Sequence, residues 1–60
     1  MPKKPTKVNI KAAAELTIAH EGGVDEAISN YVTAKGLAQD KGDEASVETF
    51  NRLIAYCQNR

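Results

Sequence analysis

Apolar residues at 47, 50, 54 and 57 follow a 3-4-3 spacing, with Leu53 beside them. At 100° per residue Val47, Phe50, Leu53, Ile54 and Cys57 gather within about 120° of a helix surface. This predicts an amphipathic helix over about 44–58 with one core-facing side. Upstream, Val24, Ala27, Ile28, Tyr31, Ala34 and Ala38 share a face of a second predicted helix, about 24–41. Ala27, Ala34 and Ala38 form a small-residue seam along it, Ile28 and Val32 supply bulk on the other side, and Leu37 falls off the main stripe, exposed or in contact with another chain. Gly36 interrupts this helix at a cost of about 1 kcal/mol relative to alanine, and is read as a tolerated defect. Between the two helices stand Gly42 and Asp43. Glycine takes the left-handed φ that ends a helix without a Cβ penalty, and aspartate can cap the next one, so the pair predicts the turn of a helical hairpin.

A first helix is predicted over about 10–21, with Asn9 as N-cap, alanines at 12, 13 and 14 supplying propensity, and Gly22-Gly23 as the stop. Its apolar residues do not lie in one stripe. Ala13, Leu16 and His20 project one way, with Ala12 and Ala19 adjoining, while Ile10, Ala14 and Ile18 project another, Ile18 lying about 160° from Leu16. One hairpin can cover only one of these sides. The alanines around Leu16 suit close packing on the alanine seam, so Leu16 is expected inside. Ile10, Ala14 and Ile18 are expected to form a self-association surface, with Lys11 and Glu15 at its rim.

The fold class expected is therefore all-α, a small three-helix domain over 9–60 built on a helical hairpin. Residues 1–8, with two prolines and no apolar periodicity, are expected to form a flexible basic arm. Sixty residues make one domain that buries roughly 60% of its unfolded surface, and a single cysteine excludes an internal disulfide. Domains this short usually gain stability from a staple or a partner subunit, which favours a homodimer or contact with another helical protein. One free cysteine and the lack of a secretory h-region or an apolar run of about 18 residues place the chain in the cytoplasm, away from membranes.

Formal charge is zero but unevenly spread. Lys3, Lys4, Lys7 and Lys11 precede every acid, whereas from Ala12 onward four bases stand against eight acids, a net charge of −4. The lysines are the strongest argument for nucleic acid, since phosphate neutralisation needs little beyond mobile cations. Against it, the third helix carries Glu44 and Glu48 with Arg52 and Arg60, and the acidic body repels a duplex. A solvated tail is the preferred reading. Glu48 and Arg52, four apart, belong to a solvated face.

The run Gly42-Asp43-Glu44-Ala45, followed by Val47, Phe50 and Leu53 and preceded by a stop at His20 to Gly22, resembles a group of short alphaproteobacterial helical proteins of unassigned function. These carry a His-Gly stop, an alanine-rich helix and then G-D-E-A-x-Φ-x-x-[WF]-x-x-Φ, with Φ apolar. The resemblance covers about residues 14–57, departs where Glu21 separates His20 from Gly22, and implies a helical hairpin without implying an activity. The A-x-x-x-Y…G-D pattern, Ala27 to Tyr31 and then Gly42-Asp43, also resembles one tetratricopeptide unit, but a lone unit cannot bury its own face and the sequence shows no second copy.

Candidate chemistry is sparse. His20 and Cys57 are the only residues of their kinds, too few for a zinc site. A Cys-His pair would need both side by side with an orienting carboxylate such as Glu21, yet Cys57 lies on the apolar stripe, where a thiol acts as a small hydrophobe. His20 suits the last turn of its helix, beside the terminal carbonyls. Gly22-Gly23 lacks the longer phosphate-cradling patterns and reads as a connector. The carboxylates sit in first turns or on outward faces. No catalytic residue, cofactor or metal is expected. The function expected is a non-enzymatic protein–protein interaction module that self-associates; the alternative is a nucleic-acid-associated accessory protein using Lys3, Lys4, Lys7 and Lys11.

Overall fold

A computed structural model describes residues 9–60; the basic arm, with Lys3, Lys4 and Lys7, lies outside the described residues. Three helices follow in order: α1 (Ile10–Glu21), α2 (Val24–Asp40) and α3 (Glu44–Gln58). Four of the six helix ends have a local cause in a side-chain cap or a left-handed glycine. Asn9 caps α1, its side-chain oxygen accepting from the Ala12 amide at 3.0 Å. At the other end Gly22 adopts φ +92°, and the amides of Gly22 and Gly23 both donate to the Ile18 carbonyl at 3.0 Å.

The hairpin turn is closed by two backbone hydrogen bonds. Gly42 stands at φ +73°, the Asp43 amide donates to Ala38 O at 2.9 Å and the Gly42 amide to Gln39 O at 3.0 Å. These paired bonds are a Schellman closure of α2. Asp43 then caps α3, accepting from the Ser46 amide at 3.2 Å and the Ser46 hydroxyl at 2.7 Å. Those two bonds hold its carboxyl below the usual carboxylate range. One residue thus ends one helix and begins the next, and α2 stops at Asp40, one residue earlier than its apolar pattern suggests.

The hairpin α2–α3 carries the most extensive packing, and α1 lies across both of its helices. Ala14, Ile18, Ala27, Tyr31, Leu53 and Cys57 form the buried cluster, flanked by half-buried Ile10, Val24, Ile28, Phe50 and Ile54. The rings of Tyr31 and Phe50 meet at 6.1 Å with their planes tilted by 38°, within the range of favourable aromatic pairs.

Two expectations are overturned here. Ala14 and Ile18 are 0% and 8% exposed and Ile10 packs against the same cluster, so these three line the chain's own core and are not a free association surface. Leu16, expected inside, is 73% exposed. Burying a large aliphatic side chain is worth about 1.5–3 kcal/mol, so the side with two isoleucines outweighs the side with one leucine and its alanines. Val32 likewise points outward, 53% exposed, and adds nothing to the core face of α2.

At Gly36, within α2, nothing lies within 4 Å of the place a Cβ would occupy. The glycine therefore serves no close approach. Gly36→Ala is expected to stabilise the fold by about 0.5–1 kcal/mol, read as a higher midpoint in urea with an unchanged slope. A lower midpoint would show that Gly36 has a packing role.

Candidate functional site

The outward side of α1 is the feature that packing leaves unexplained. Because Ala14 and Ile18 turn inward, Leu16 points away from the core, and exposed Ala12 and Ala19 lie within about 60° of it on the same helix. No charged residue stands within that arc. An open groove of about 350 Å³ runs beside Leu16, lined also by Thr17, His20, Glu21 and Asn30, where α1 meets α2. Thr17 is tied down by its hydroxyl, which donates to Ala13 O at 2.9 Å. The same carbonyl accepts from the Tyr31 hydroxyl at 3.4 Å, a long and weak contact between α2 and α1.

The opposite flank of α1 is held by a polar network that spans most of the chain. Glu15 accepts from the Tyr56 hydroxyl at 2.6 Å and from two guanidinium nitrogens of Arg60, Nε at 2.9 Å and Nη2 at 3.0 Å. The fork-to-fork geometry gives a charge-assisted pair with fixed direction. Arg60, and then Tyr56, lower the Glu15 carboxyl to about 2. Glu15 in turn raises the Tyr56 phenol, since the neutral hydroxyl is the one that can donate. Together they fasten α1 to the end of α3, leaving the Leu16 side as the free one.

A pH dependence follows from that carboxyl. A depressed folded value means that the stabilisation is present above the ordinary carboxylate value of 4.5 and is lost as pH falls toward about 2. Thermal melts should therefore show Glu15→Gln below the parent at pH 7, with the gap closing between about pH 4.5 and 2. The side chains of Arg60 and Glu15 are 45% and 38% exposed, so the gap should also shrink in 0.5 M salt. A gap that persists unchanged at pH 2 would mean the network contributes nothing through its charge.

The remaining candidates have structural explanations. Cys57 is 3% exposed and burial raises its thiol, so the reactive thiolate is disfavoured. His20 is exposed on the outer side of α1, lining the groove, while Cys57 lies within the core. A second open groove, about 460 Å³, is lined by Gln39, Asp43, Glu44, Val47, Glu48 and Asn51 at the hairpin end. Its Asp43 is committed to capping, and Glu48 faces Arg52 at 3.8 Å in a pair that is mostly solvated. Among the described residues no group of three His, Cys, Asp or Glu is placed to hold a metal ion, and no helix is long and apolar enough to cross a membrane. Of the four lysines considered for nucleic acid, Lys11 is exposed at the start of α1 and the other three fall outside the described residues.

Sequence reasoning had both sides of α1 in view but missed the Glu15–Tyr56–Arg60 network. Glu15 and Arg60 are 45 positions apart, and no local spacing joins them. No family model, curated protein or solved structure matches this chain.

Proposed function

We propose that this chain is a small non-enzymatic protein–protein interaction module that associates with a second copy of itself through the outer side of α1. The observation that supports this reading is Leu16, 73% exposed on a helix side that carries alanines and no charge. A single exposed leucine is ordinary on a protein surface. A leucine on an uncharged helix side beside a groove, in a domain of 60 residues with one cysteine and hence no internal disulfide, is the arrangement a partner helix would complete.

Sedimentation equilibrium tests the reading. The parent is expected to dimerise below roughly 100 µM, well above the micromolar dissociation constants of many specific interfaces, and Leu16→Glu is expected to be monomeric with an unchanged helical spectrum. A parent that remains monomeric at that concentration would falsify it. Salt-sensitive retention of DNA or RNA, lost when Lys3, Lys4, Lys7 and Lys11 become alanine, would favour the nucleic-acid alternative instead.

A further inference from the structure

The α1–α2 side of the molecule carries a groove and, displaced from it, an exposed aliphatic side chain small enough to enter it. The groove lies between Leu16, Thr17, His20 and Glu21 of α1 and Asn30 of α2. Leu37, 59% exposed, follows Asn30 by seven residues. At helical spacing that returns Leu37 to within about 20° of the same side of α2, about 10 Å farther along the axis. Groove and leucine face the same way but at different heights, so a chain cannot seat its own Leu37 in its own groove.

We infer that a second copy docks with its α1 antiparallel to the first, so that Leu37 of each copy seats in the Leu16–His20 groove of the other. This rests on the self-association proposed above and specifies its geometry. A two-fold axis crossing the helices reverses position along them while keeping each side of the pair on its own flank. It therefore carries the displaced Leu37 back over the groove, and the contact is made twice. A parallel pair would move Leu37 to the opposite flank, away from any groove.

Charge and area favour the same arrangement. α1 has no acid in its first turn and carries Lys11 there. Its other end carries Glu21, with Asp25 and Glu26 in the first turn of α2. Antiparallel docking sets the lysine end of one copy beside the carboxylate end of the other and opposes the two helix dipoles, whereas parallel docking stacks like on like. A twelve-residue helix is about 18 Å long, too short to supply the roughly 600–1,000 Å² per copy of a stable interface by itself. Engaging the Asn30–Leu37 edge of α2 brings in a second helix.

The geometry is tested by cross-linking between copies. Leu37→Cys and His20→Cys, prepared separately and mixed under mild oxidation, are expected to form the mixed disulfide, with neither forming a dimer alone; buried Cys57 keeps the parent unreactive. In sedimentation equilibrium Leu37→Glu is expected to weaken the dimer at least about tenfold, in line with loss of an anchor residue. Val32→Glu, about 140° away around α2, is expected to leave it unchanged. A parent that dimerises without the mixed disulfide and without response to Leu37→Glu overturns the docking geometry and leaves self-association standing. A monomeric parent overturns both.

Discussion

Ile18→Glu is expected to abolish folding, while Leu16→Glu two residues away leaves the fold intact. Ile18 sits in the cluster with Ala14, Ala27, Tyr31, Leu53 and Cys57, and none of these offers a cation to a carboxylate. The substitution forfeits about 1.5–3 kcal/mol of apolar burial and adds several kcal/mol for an unpaired charge in the interior. A domain spanning residues 9–60 has roughly 3–8 kcal/mol in total at the usual 0.05–0.15 kcal/mol per residue. Leu16 is 73% exposed, so a carboxylate there stays in water and costs the single chain little. Far-ultraviolet circular dichroism at pH 7 separates the two: a random-coil spectrum for Ile18→Glu, a helical one for Leu16→Glu. Helical spectra for both would place the wrong side of α1 inward.

Leu53→Ala is the second large effect. Leu53 is 4% exposed on α3, in the hairpin that carries most of the packing, and it belongs to the cluster that joins all three helices. Truncating a buried leucine costs about 2–5 kcal/mol, more where the site cannot collapse around the cavity. At about 4–8 °C per kcal/mol for a domain of this size, Tm should fall by roughly 8–40 °C. Phe50, which the 3-4-3 spacing places on the same face, is only half-buried and packs at a tilt beside Tyr31. A Tm for Leu53→Ala within a few degrees of the parent would mean that α3 turns another face to the core.

The interaction reading depends on which part of α1 is left over after folding, and Glu15 helps to decide that. With Tyr56 and Arg60 holding Glu15 from the α3 side and Tyr31 touching Ala13 from the α2 side, α1 is gripped on both flanks. Rotation about its own axis would break these contacts and expose the isoleucines. The outer side is then free of internal obligations, and Leu16 can be substituted without disturbing the core.

The helices and their limits were legible in the sequence because the signals that set them are local. Asn9 and Asp43 reach amides three residues on, and Gly22 and Gly42 take a left-handed φ that other residues resist. The hairpin and the apolar face of α3 follow from the same short-range periodicity. Which side of α1 turns inward did not follow, because periodicity gives the angle between Ile18 and Leu16 but not the direction of the core. That direction is set by summed burial against α2 and α3 and by partners as remote as Arg60. A helix with apolar residues on two sides has two locally acceptable orientations, and only the tertiary packing, two isoleucines against one leucine together with a carboxylate that finds its tyrosine and arginine, chooses between them.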